Sequence, residues 1–165
     1  MADVETALRD WLADAKRVVI AGVGNPIRSD DYVGLKIAEN LKGKVPSAVC
    51  VLECEMVPEG YLLDVEKFQP THVLLLDAAV LGCKPGEANL VKFEDVPSFS
   101  AISSHALPLR LFCEYIEKAT AAEVRLLLVE PENTELGECL TPEVAATAEK
   151  LTKTLLKLLS GLSSV

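Results

Sequence analysis

RVVIAGVGNPIRSDDYVGLKIAENL (17–41) carries two periodicities in succession. Its first eight residues, RVVIAGVG (17–24), are a continuous apolar run rich in valine and isoleucine and closed by glycines. That is the pattern of a strand buried on both faces. From residue 30 the spacing changes. Val33, Ile37 and Leu41 fall at i, i+4 and i+8, which predicts a helix over 30–41 with Ser29 or Asp30 as its N-cap. A strand of this kind feeding an amphipathic helix is half of a βαβ unit. If the rest of the chain repeats it, the fold is an α/β sandwich.

The rest of the chain repeats it. Before the quoted stretch, residues 3–15 read as a short helix with Ala7, Leu8, Trp11 and Leu12 at helical spacing. After it, AVCVLECEM (48–56) reads as a strand, and Pro58 opens a helix with Tyr61, Leu62 and Val65 on its apolar side. HVLLLDAA (72–79) is a third buried strand. LGCKPGE is turn chemistry, and ANLVKFEDV (88–96) has strand character. The connection between these two strands is shorter than a parallel crossover requires, so the fourth strand should run antiparallel to the third. A polar loop over 97–104 leads to a helix over 106–118. Its apolar stripe is Leu109, Phe112, Cys113 and Ile116, with Leu107, Leu111 and Tyr115 beside it. EVRLLLVEP (123–131) is the fifth strand. After a loop to Cys139, Thr141-Pro142-Glu143 supplies an N-cap hydroxyl, a proline at N1 and an acid in the first turn of a last helix. Leu151, Leu155, Leu158, Leu159 and Leu162 line that helix. The expectation is one domain over 1–165: a three-layer α/β sandwich whose five-stranded, mostly parallel, twisted sheet has one antiparallel strand and helices on both faces.

The bulk composition narrows the function. With 165 residues, half of them hydrophobic, the chain can bury a sizeable core. No apolar run approaches the ~20 residues of a membrane span. The acidic start MADVETALRD is not a secretory signal, so a cytoplasmic location is expected. Twenty-five acidic against sixteen basic residues give a net charge of −9, which disfavours nucleic acid and anionic membranes as partners. The five cysteines, at 50, 54, 83, 113 and 139, are odd in number and lack a C-x-x-C pair. Neither disulfides nor a zinc cluster is expected, and the thiols read as structural.

Three ionisable residues stand out because the topology sends them to one edge. In α/β sheets, ligands bind beyond the carboxyl ends of the strands. Asp31 lies in the first strand-to-helix transition, Asp77 at the end of the third strand, and His105 in the loop entering the next helix. Asp77 follows four apolar residues, where an unpaired carboxylate would be costly. Asp30 and Asp31 point in different directions. Both can serve the helix dipole, or Asp30 caps the helix and Asp31 faces the strand ends. At a helix N-terminus, His105 is expected to have a lowered pKa and to be neutral, the metal-binding form. His72, beside Pro70, reads as structural. Two oxygen donors and one nitrogen donor suit Ni²⁺, Zn²⁺ or Fe²⁺ with open positions. Gly22-Val-Gly24 is only a partial dinucleotide fingerprint, because Ile27 stands where a third glycine would be needed.

GVGNPIRSDDYVG, LLLDAAVLGCKPGE, SSHALPL and VEPENTELGECLTPEV occur in this order. Over about residues 17–160 the chain resembles the nickel–iron hydrogenase maturation proteases, most closely the branch serving formate-hydrogenlyase and related energy-converting hydrogenases. The resemblance implies an endopeptidase, classed with the aspartic-type enzymes, that removes a C-terminal peptide from the hydrogenase large-subunit precursor after nickel insertion. It implies Asp31, Asp77 and His105 as the metal contacts, with Asp30 one alignment step away from Asp31. The nickel would come with the precursor, and the metal or a carboxylate, Asp31 or Asp77, would activate water. No G-x-S-x-G elbow offers a nucleophile. The family's loop glycines after the second strand are replaced here by Glu53-Cys54-Glu55. The chain is expected to act as a monomer. The same residues would also serve a non-catalytic nickel-sensing or chaperone module for hydrogenase assembly.

Overall fold

The computed structural model describes residues 2–96 and 102–163. The elements run α1 (Ala2–Trp11), β1 (Val18–Val23), α2 (Val33–Leu41), β2 (Val49–Glu55), α3 (Leu62–Phe68), β3 (His72–Ala78), β4 (Ala88–Val91), α4 (Ala106–Ala119), β5 (Glu123–Val129) and α5 (Pro142–Leu159). Residues 97–101 of the polar loop expected over 97–104 lie outside the described residues.

The five strands are ordered β2-β1-β3-β5-β4. β1, β2, β3 and β5 are mutually parallel, and β4 pairs antiparallel with β5. The expected direction of β4 therefore holds, but β5 lies between it and β3. β1 and β3 are buried at every residue, as their unbroken apolar runs require. Alternate side chains feed two cores. Val18, Ile20, Leu74, Leu76 and Leu127 pack under α1, α2 and α5. Val19, Ala21, Val73, Leu75 and Leu128 pack under α3 and α4. Burying each of these valine, leucine and isoleucine side chains contributes about 1.5–3 kcal/mol. Within α4, Leu109, Phe112, Cys113 and Ile116 are buried. Leu107, Leu111 and Tyr115, one helical face away, are exposed.

Three elements differ from expectation at their ends. The helix expected from residue 30 begins as a 3₁₀ turn, Ser29–Tyr32, and becomes α-helical at Val33. Neither Ser29 nor Asp30 caps it, because both side chains are engaged by a distant loop. β4 stops at Val91, and Phe93–Asp95 turns as 3₁₀. Thr141 is the N-cap of α5, but its hydroxyl donates to Asp30 and not to the helix.

One glycine sets the depth of the site. A Cβ on Gly34, in the first turn of α2, would stand 2.1 Å from the Leu76 carbonyl oxygen. Only glycine lets α2 approach β3 this closely. That approach draws the preceding 3₁₀ turn over the carboxyl ends of β1 and β3.

Candidate active site at the carboxyl edge of the sheet

Asp77 is the penultimate residue of β3 and its side chain has no exposure to solvent. His105 is the N-cap residue of α4, and Asp31 sits in the 3₁₀ turn after β1. All three are buried. Their donor atoms lie within 4.8 Å of one another, the one group of three or more such residues found among the described residues.

The imidazole lies between the two acids. His105 Nδ1 is 3.1 Å from Asp77 Oδ1, and Nε2 is 3.4 Å from Asp31 Oδ2. The buried carboxylate beside Nδ1 favours a proton there, and Asp31 favours a proton on Nε2 in the charged ring. Two serines and a backbone amide hold the acids in place. Ser103 Oγ donates to Asp77 Oδ2 at 2.6 Å and itself accepts the His105 N–H at 3.1 Å. Ser104 Oγ donates to Asp31 Oδ1 at 2.9 Å, and the Asn25 N–H donates to Asp31 Oδ2 at 3.1 Å.

The charges correct one expectation. Burial would lower the His105 pKa, but the hydrogen bond and charge of Asp77, with the charge of Asp31, outweigh it and raise the imidazole above its ordinary value. Two carboxylates at hydrogen-bond range dominate the helix-terminus field that favoured the neutral ring. Complete burial pushes the Asp77 carboxyl up, against the pull of His105 and Ser103.

Asp30 and Asp31, adjacent in sequence, have separate tasks. Asp30 is fully buried and accepts four hydrogen bonds: from the N–H groups of Glu132, Asn133 and Thr141, and from the Thr141 hydroxyl. It fastens the 131–141 loop. The same loop is laced to residues 27–30 by Ser29 N–H to Gly137 O, Gly137 N–H to Ile27 O and Asp30 N–H to Asn133 O. Asp31 alone of the pair faces the cluster. Ser103, Ser104 and Asn25 have no sequence signature that would have marked them, because their partners lie on other elements.

A cleft of about 370 Å³ opens beside the cluster. Asp31, Ser103 and Ser104 line it, with Arg28 on one side and apolar Ala78, Ala79 and Val80 on another. His72 lies at the opposite end of β3, its Nδ1 2.9 Å from Thr71 Oγ1 and its ring edge-on to Trp11. The five thiols are free, and burial pushes the pKa values of Cys54 and Cys113 up to about 12, so neither is a nucleophile. Among the described residues no helix is long and apolar enough to cross a membrane.

A three-layer α/β domain with a carboxylate–imidazole–carboxylate cluster at the carboxyl edge of its sheet is built for metal-assisted or acid–base chemistry on a ligand in that cleft. The chain belongs to the HycI hydrogenase maturation protease family, whose match covers residues 35–158 and so includes Asp77 and His105. The hydrogenase 2 maturation protease of Escherichia coli is 30% identical over 81% of this chain and 84% of its own length. The hydrogenase 3 maturation protease of the same organism is 26% identical over 69% and 72%. The crystal structure of a nickel–iron hydrogenase maturation protease, HycI of Thermococcus kodakarensis, superposes with a TM-score of 0.85 at 32% identity, covering 93% of this chain and 98% of that one. The fold is therefore that of the solved maturation proteases.

Proposed function

We propose that this chain is the endopeptidase that removes the C-terminal extension of a nickel–iron hydrogenase large-subunit precursor, and that it recognises nickel already carried by that precursor. The reading rests on one observation above the others: two carboxylate oxygens and one imidazole nitrogen converge within 4.8 Å at a cleft, in a chain of the maturation protease family. Such a donor set suits nickel and leaves coordination positions for groups of the substrate.

Asp31, Asp77 and His105 would complete the coordination of the precursor's nickel and so fix the scissile bond over the cleft. Bound nickel supplies Lewis-acid polarisation of a carbonyl or of water. Asp31 lines the cleft and is the carboxylate placed to accept a proton from attacking water. Asp77, hydrogen-bonded to the ring through Oδ1, would hold the orientation of His105 until nickel is bound and then join it as a ligand. The imidazole separates the two acids, so they do not form a dyad sharing one proton. Before nickel is inserted the precursor would lack the group that anchors it, and cleavage would report on metal insertion.

The test is incubation of the chain with nickel-loaded and nickel-free precursor, followed by mass spectrometry of the large subunit. Loss of the C-terminal segment from the nickel-loaded form alone is expected. An unchanged mass would sink the protease reading and leave the nickel-sensing one.

A further inference from the structure

Arg28 is the one charged side chain besides Asp31 among the residues lining the cleft. Asp31 is committed to Asn25, Ser104 and the face of His105. The Arg28 guanidinium makes no hydrogen bond or ion pair among the described residues, which sets it apart from every other arginine of the chain. Arg9 lies 4.0 Å from Asp10, and Arg110 lies 3.1 Å from Glu114. Arg17 donates to the Phe68 carbonyl at 2.8 Å, and Arg125 lies 3.9 Å from Glu123. The exception is more telling in a chain of net charge −9. Glu132, Glu135 and Glu138 are exposed on the loop laced to this very segment, and none of them pairs with Arg28.

The backbone under this free side chain is held tightly. Arg28 bridges Gly137, and its carbonyl accepts the Asp31 N–H at 3.1 Å. The next residue, Ser29, is in the left-handed region at φ 50°, held there by its hydroxyl bond to the Glu135 carbonyl at 2.8 Å. A non-glycine residue stays in that conformation only where the surroundings over-determine it. A fixed Cα and an unpaired guanidinium, in a cleft lined besides by apolar and hydroxyl groups and by Asp31, which already has its own partners, offer a receptor for a planar anion.

We infer that the cleft contains a carboxylate-binding subsite built on Arg28, and that its ligand is an acidic group of the precursor chain flanking the scissile bond. The inference rests on the protease reading for its ligand, but not for its geometry. A carboxylate held bidentately by Arg28 would set the register of the peptide three residues along the chain from Asp31. Arg28 is thus a specificity-determining residue.

The test compares wild-type chain with Arg28→Ala, Arg28→Lys and Arg28→Glu, with Lys157→Ala removing one exposed positive charge far from the cleft as a control. Affinity for nickel-loaded precursor is read by biolayer interferometry, and cleavage by mass spectrometry. A charge-assisted pair of this kind predicts a loss of affinity of about tenfold or more for Arg28→Ala. The loss should be carried mainly by KM. Arg28→Lys should be intermediate, because an ammonium cannot offer the two-pronged contact. Precursors in which each acid near the cleavage site is changed to Lys should include one that wild-type binds poorly and Arg28→Glu binds better. Equal affinity for wild-type, Arg28→Ala and Lys157→Ala would overturn the subsite, as would equal binding of all the acid-to-lysine precursors. If wild-type binds precursor without cutting it, the protease reading fails while the Arg28 dependence of binding still decides the subsite. If wild-type neither binds nor cuts, both fall.

Discussion

Replacing Asp30 by Ala should unfold a loop, and replacing Asp31 by Ala should silence a site. Asp30 accepts four hydrogen bonds from the 131–141 loop. Removing the carboxylate leaves three backbone N–H groups and a hydroxyl without their partner. An orphaned donor costs about 1–3 kcal/mol, and the low end applies here because water reaches the exposed side of the loop. The four together come to about 4 kcal/mol. For a domain of this size each kcal/mol shifts the Tm by about 2–4 °C, so Asp30→Ala should melt about 10 °C below wild-type. Asp31 has two hydrogen-bond donors, Asn25 N–H and Ser104 Oγ, and faces His105 Nε2 at 3.4 Å, while its charge repels Asp77. Its removal costs about 1 kcal/mol or less, because the relief of repulsion offsets the lost bonds. Thermal denaturation followed by circular dichroism at 222 nm separates the two. In the processing assay the order reverses: Asp31→Ala folds and does not cut. An Asp30→Ala protein melting within about 2 °C of wild-type would refute the division of labour drawn between the two acids.

Two further outcomes are expected. Ser103→Ala removes the donor to Asp77 Oδ2 and the acceptor for the His105 N–H, and should slow processing about 10–100-fold, the usual cost of losing an orienting contact, at near-native Tm; unchanged turnover would show that Asp77 needs no such support. On brief treatment of native protein with iodoacetamide at pH 8, exposed Cys139 should be alkylated while Cys54 and Cys113 stay unmodified, because burial raises both thiols to about 12 and leaves almost no thiolate. Peptide mapping showing Cys54 or Cys113 labelled as fast as Cys139 would contradict the packing of both into the core between the sheet and the α3 and α4 layer.

The layers and the edge that carries the cluster were legible in the sequence because both follow from local pattern. Unbroken apolar runs identify strands buried on both faces, and a change to helical spacing at Val33 marks the helix that covers them. Asp77 stood out because a carboxylate after four apolar residues must find a partner. The insertion of β5 between β3 and β4 was not legible, since a strand's own residues do not name its neighbour. Nor was the fate of Asp30, whose partners lie more than a hundred residues away. By local rules it is a helix cap, as Thr141 is; in the folded chain the two side chains leave their own helices and bond to each other. The helix-terminus argument for a neutral His105 failed for a similar reason, because the charges that decide its proton come from the turn after β1 and from β3. Hydrophobic periodicity is a property of a dozen consecutive residues and survives without tertiary context. Which of two adjacent carboxylates is structural, and which arginine remains unpaired, depend on side chains brought together only when the sheet closes under α2 and the 131–141 loop.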